Sequence, residues 1–220
     1  CALPIYGPFS HLFDRGVIPT ILQQKGLSKA HIDGWEHEDA SEMLFDHMID
    51  RCHLDIENDD LDKKFICQLI QGKASPADSS KKWMFEIVAN KRNSFDVDKL
   101  DYLCRDSYHC GLNQQQGHQD YINFETIIKN SRVVDNQLAY NIKIVNSIKM
   151  VYDLRFEMFR AIYNHKAAQA IDLMYQDVLV KADPVFKFVE NLRNPEKYVQ
   201  FTDLVINRIK KSKDPLLKES

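Results

Sequence analysis

The sequence predicts an all-α fold with at most a short minor β hairpin. Apolar residues recur at helical spacing along most of the chain, the pattern of helices with one buried face. Only seven of the 220 residues are glycine, few for a β-rich fold with many turns or for a glycine-rich phosphate loop. A chain that is 44% hydrophobic and 28% charged has enough apolar surface for one domain with a substantial core. The net charge of −3 supplies no global basic field for nucleic acid or an anionic membrane surface. No apolar run reaches the ~18 residues of a membrane-spanning helix, and the start lacks the basic and apolar regions of a secretory signal. Cys1, Cys52, Cys67, Cys104 and Cys110 form no paired spacing, which suits thiols in a reducing, intracellular compartment.

The elements follow in order. EDASEMLFDHMIDRC (38–52) sets Met43, Leu44, Met48 and Ile49 at helical spacing. DLDKKFICQLIQG (60–72) repeats the pattern and ends on Gly72, a C-cap. KASPADSSKK (73–82) reads as a surface loop, and WMFEIVANKRN (83–93) as an apolar helix. DNQLAYNIKIV (135–145) alternates as a short strand pair. One long helix is expected over 147–182, stopping at Asp183-Pro184. A last helix in NPEKYVQFTDLVINRIKKSKDP should be capped by Thr202 or Asp203. No repeat or second domain is apparent.

Chemistry concentrates in SFDVDKLDYLCRDSYHCGL (94–112). On a helix, Asp98, Tyr102, Asp106 and His109 share one face, and Val97, Leu100, Leu103 and Cys104 form the opposing apolar stripe. The plain reading is a solvated face of an amphipathic surface helix. Against it, an aromatic ring and an imidazole among carboxylates serve solubility less well than Glu and Lys would. Lys99 adds a cation suited to phosphate.

At these residues the chain resembles a known family. NKRNSFDVDKLDYLCRD is similar to a motif of the animal sterile-alpha-motif-and-HD-domain deoxynucleoside triphosphate triphosphohydrolases. GPFSHLFD (7–14), GWEHEDASEMLFDHMI (34–49) and RAIYNHKAAQAIDLMYQDVLVKAD (160–183) resemble further blocks of that family in order and spacing. The resemblance implies an all-α HD-domain core, truncated at both ends, over residues 7–220. It implies hydrolysis of a deoxynucleoside triphosphate (dNTP) to deoxynucleoside and triphosphate with a divalent metal: iron, magnesium, manganese or zinc. It assigns Asp98 to the metal, and His11, Asp14, His37 and Glu38 to catalysis. Lys99 and Arg155 would hold the triphosphate. Tyr102, Asp106 and Tyr163 would surround the sugar, Tyr102 leaving no room for a 2′-hydroxyl.

The resemblance further implies a homo-oligomer with a GTP or dNTP activator site, an affinity for single-stranded nucleic acid, and a nuclear or cytoplasmic location. Lys143, His165 and Lys166 fit the activator site, whereas Asn123 and Thr126 stand where the family has charged residues. Phe159 stands where a histidine is expected. His31, His47, His53 and His118 lack metal-ligand spacing and receive no role.

The first residues depart most. Where the family needs a His-Asp metal pair the chain has Ala2 and Leu3, and Tyr6 replaces a histidine. The string TGT GCT CTT CCG ATC T encodes Cys-Ala-Leu-Pro-Ile and matches a common sequencing adapter, so residues 1–6 are expected to be non-native. The chain as it stands is then expected to be inactive, with Asp98 alone of the family's metal ligands. The other readings are a non-catalytic paralogue that binds nucleotides or nucleic acid, and an HD phosphohydrolase acting on another nucleotide.

Overall fold

A computed structural model describes residues 7–56, 62–75, 80–111 and 123–217. The expectations for residues 1–6 and His118 lie outside them. Among the described residues the fold is all-α with one two-stranded hairpin, as the sequence predicts. No helix there is long and apolar enough to cross a membrane. The described residues form two compact units, one from 62–166 and one from 7–56 with 167–217.

In the unit of residues 7–56 and 167–217, a π-helical turn at Phe13–Val17 runs into α1 (Ile18–Gln24), and α2 spans His37–Cys52. Glu36 and Asp39 close a reciprocal capping box at the start of α2, which fixes where His37 and Glu38 emerge. Phe13, Trp35, Phe188, Tyr198 and Phe201 build an aromatic core. Phe13 meets the Phe188 ring edge-on at 5.6 Å, and Phe188 meets Phe201 at 5.0 Å. Gly7 is required by this packing, since a Cβ there would run into the Phe13 ring.

In the unit of residues 62–166, α3 (Lys63–Gln71) packs on α4 (Lys82–Val88) through Phe65 and Phe85. Gly72 caps α3 at φ 66°, as expected. α5 spans Val97–His109, α6 Phe124–Lys129, and the hairpin pairs β1 (Ser131–Val134) with β2 (Gln137–Tyr140). α7 (Val145–Met158) continues through a π-helical turn at Phe159–Tyr163. Phe95, Leu100, Leu103, Ile127, Ile144, Val151 and Met158 form this unit's core.

Several expectations are corrected. The strand pair is not within 135–145. Asp135 and Asn136, at φ 49° and 56°, are the two-residue turn between β1 and β2, the geometry that right-twisted hairpins favour. The 83–93 helix ends at Val88, because Asn90 ties down a loop instead. Its side chain accepts from the amides of Arg92 and Asn93 and donates to the Phe95 carbonyl. The helix expected over 147–182 breaks at Asn164, and α8 (Lys166–Phe186) continues through Pro184. Lys25 holds the buried Asp183 at 2.6 Å, and Lys187 in left-handed conformation follows the helix end. In the last two helices, α9 (Pro195–Tyr198) and α10 (Val205–Lys211), neither Thr202 nor Asp203 is a cap. Asn194 caps α9, and α10 has no side-chain cap. Val97 is exposed, and Ser107 completes the buried stripe of α5 with Leu100 and Leu103.

Candidate functional site

Two clusters of site residues emerge, one in each unit. The first grows from the turn at Gly7-Pro8-Phe9-Ser10, where Phe9 and Ser10 both adopt left-handed backbone, at φ 60° and 53°. Such conformations cost non-glycine residues about 1–2 kcal/mol each and persist where the surroundings fix them. Asp203 accepts the Phe9 amide at 2.7 Å, and the Phe9 ring stacks on Tyr175 at 4.5 Å. The expected helix cap therefore holds the turn that delivers His11.

The π-helical turn then presents Asp14 beside the buried Phe13; such turns recur at functional sites. One Asp14 oxygen, Oδ2, lies 2.7 Å from His37 Nδ1 and 3.5 Å from His11 Nδ1. Glu38 Oε2 lies 3.4 Å from His37 Nε2. Partial burial raises the Asp14 carboxyl, but hydrogen bonds and charges from His11 and His37 outweigh it and hold the pKa well below the carboxylate range. Asp14 is thus an anion between two imidazoles, and His37 Nδ1 donates its proton to it.

The second cluster lies on α5 and α7. Asp96 caps α5 by accepting the Lys99 amide, and it also accepts the Asn90 amide. This anchors the turn from which Asp98, Lys99, Tyr102 and Asp106 project. Tyr163 donates to Asp106 Oδ2 at 2.6 Å, and its ring lies 6.4 Å from that of Tyr102. Desolvation and then the Asp106 hydrogen bond push the Tyr163 phenol far above its ordinary value, so it stays a donor at neutral pH. Desolvation raises the Tyr102 phenol against the opposing charge of Arg155. Lys99 Nζ is half-buried, 3.9 Å from Asp96 Oδ1. Lys143, His165 and Lys166 are exposed.

For a metal, Asp98 offers one carboxylate at the start of α5. Desolvation and the charges of Asp96 and Asp101 raise its pKa against the pull of Lys99 and Arg105. An acidic group with raised proton affinity suits a divalent cation, but a single carboxylate does not make a site. Among the described residues, the set of three donors close enough to share an ion is His11, Asp14 and His37, with ligand atoms within 4.8 Å of one another. Two imidazoles and a carboxylate suit a transition ion better than magnesium. The 2.7 Å between His37 and Asp14 is hydrogen-bond spacing, with a proton between the two atoms. The family resemblance groups these three residues as catalytic and gives the metal to Asp98, so their spacing as a donor set comes from the fold.

No family model matches the chain. In sequence it is similar to the deoxynucleoside triphosphate triphosphohydrolase SAMHD1 homolog of Dictyostelium discoideum, 35% identical over 215 residues, covering 98% of this chain and 38% of that protein. It is 30% identical over 244 residues to deoxynucleoside triphosphate triphosphohydrolase SAMHD1 of Homo sapiens, covering 98% of this chain and 37% of that protein. It is 29% identical over 198 residues to the putative HD domain-containing protein L394 of Acanthamoeba polyphaga mimivirus, covering 90% and 39%. The chain spans about two fifths of the length of these curated relatives.

Proposed function

We propose, from the premise that this chain is a sequence relative of the SAMHD1 deoxynucleoside triphosphate triphosphohydrolases, that it forms part of a hydrolase converting a dNTP and water to deoxynucleoside and triphosphate. The observation that carries this reading is the histidine pair bridged by Asp14. Attack of water on the α-phosphorus expels the nucleoside 5′-oxygen, which must gain a proton as its bond to phosphorus breaks. A histidine oriented by an ionised carboxylate delivers that proton near neutral pH. In this reading His11 gives its proton to the leaving oxygen, Asp14 orients His11 and stabilises its cationic form, and His37 with Glu38 takes the proton that the attacking water sheds, which restores the charge on His11.

A divalent ion, when bound, supplies Lewis-acid polarisation of the phosphate and a more acidic water. Asp98 would give it one carboxylate ligand. Lys99 and Arg155 offset charge on the polyphosphate. Tyr102 packs beneath C2′, and Asp106, oriented by Tyr163, accepts from the 3′-hydroxyl. Incubating the full-length protein with each dNTP and separating the products tests the reading. Deoxynucleoside and triphosphate in equal amounts support it, and the absence of free deoxynucleoside contradicts it.

Sugar selection gives a direct check. Tyr102→Ala should open space at C2′ and raise the rate on ribonucleotides relative to the matched deoxynucleotides. A methyl-sized difference in a pocket is worth about 1–3 kcal/mol, so discrimination should fall by about tenfold or more. Paired rates on dATP and ATP measure it, and an unchanged ratio removes Tyr102 as the gate.

Regulation gives another. Lys143, His165 and Lys166 are proposed for an activator site. Asn123 is instead committed to capping α6, where its Oδ1 accepts the Thr126 amide at 2.9 Å. Stimulation of dATP turnover by GTP is therefore expected to be weak or absent. Strong stimulation would show that Asn123 and Thr126 do not disable the site.

A further inference from the structure

We propose that Phe159 is a positioning residue that holds Arg155 in place for a polyphosphate by stacking under its guanidinium. The guanidinium carbon lies 4.4 Å from the centre of the Phe159 ring, inside the range of a cation–π contact. Phe159 opens the π-helical turn that follows α7, and Tyr163 ends it. The two rings meet edge-on at 5.1 Å, and Tyr163 is itself pinned to Asp106 at 2.6 Å. Phe159 therefore leans on a ring that is itself held.

A guanidinium donates only in its own plane. A contact with a ring face brings no counter-charge to the guanidinium and leaves N–H groups for oxygen atoms. Among the described residues no carboxylate pairs with Arg155. Glu157 is taken by Arg160 at 2.6 Å, and Asp106 by Arg105 at 3.3 Å. A half-buried arginine held by an aromatic face keeps its whole charge for a ligand, whereas one held by a carboxylate would have part of it neutralised. The ligand class that matches a planar fork with an unpaired charge is a phosphate oxyanion.

The inference rests on the reading of this cluster as a triphosphate site, and the test separates the two. Calorimetric binding of inorganic tripolyphosphate to the full-length protein is compared for the wild type, Arg155→Gln, Phe159→Leu and Phe159→Tyr. Arg155→Gln should weaken binding about tenfold, the value of a charged hydrogen bond. Phe159→Leu should weaken it about threefold to fivefold, the value of a partly exposed cation–π contact. Phe159→Tyr keeps the ring face and should bind as the wild type does. Phe159→Met carries the same expectation as Phe159→Leu and replaces it if the leucine variant loses its thermal transition.

If Arg155→Gln binds as the wild type does, the triphosphate reading of the cluster fails, and the inference with it. If Arg155→Gln weakens binding but Phe159→Leu does not, the positioning role is overturned and the triphosphate reading stands. If Phe159→Tyr loses as much as Phe159→Leu, the ring acts through packing alone, which also overturns the proposal.

Discussion

Replacing Asp14 by asparagine in the full-length protein is expected to lower the dNTP turnover number by about 10²–10⁴-fold, the range general acid–base catalysis contributes, with little change in KM. Asparagine keeps the shape of the side chain but removes the anion that His11 and His37 share. His37 Nδ1 could still donate to the amide oxygen, so the fold should survive while proton delivery fails. The same carboxylate links stability to acid. Its folded pKa is held below the ordinary 3.8, so its contribution should be fully present above that value and be lost as pH falls below it. An acid-denaturation profile of wild type and Asp14→Asn should converge toward low pH. Parallel curves would mean that the two histidines do not stabilise the anion.

Phe13→Ala should cost about 3–5 kcal/mol of stability, as large aromatic truncations in a core do. Phe13 is fully buried and contacts both Phe188 and Phe201. It is also the residue before Asp14 in the π-helical turn, so its loss should loosen the turn that presents the carboxylate. Denaturant titration measures the first effect. Phe13→Leu, which fills more of the space, should recover part of both stability and turnover. A loss below about 1 kcal/mol would mean that the turn is not anchored through this ring.

Much of the helical framework is legible in the sequence because each helix has one apolar face. α2, α3 and α5 fall within a few residues of their expected bounds, and Gly72 caps where a left-handed residue is needed. Two of the misplacements share a cause, which is that tertiary contacts override a local signal. Pro184 should end a helix, but Lys25 fixes the buried Asp183 and α8 continues. Asp203 has the composition of a cap but is spent on the Phe9 amide, 194 residues away. The hairpin turn at Asp135-Asn136 falls where the alternating pattern predicts the start of a strand, because Val133 and Val134 of β1 precede it.

The site divides in the same way. The stripe Asp98, Tyr102, Asp106 on α5 follows from helical periodicity. The roles attached to it, and to His11, Asp14, His37 and Glu38, came only from the family resemblance. Two features had no sequence signal. The π-helical turns at Phe13–Val17 and Phe159–Tyr163 add no composition cue, yet they carry Asp14, Phe159 and Tyr163. The departure at Phe159 was visible as a missing histidine, but its contact with Arg155 was not.

In the proposed reaction a proton reaches the nucleoside 5′-oxygen as that oxygen leaves phosphorus. Turnover of a dNTP by the full-length protein in ¹⁸O-labelled water tests it most directly, with mass analysis of both products. The expected result is one labelled oxygen in the triphosphate and none in the deoxynucleoside. Label in the deoxynucleoside, or release of a deoxynucleoside monophosphate in place of the free nucleoside, would contradict it.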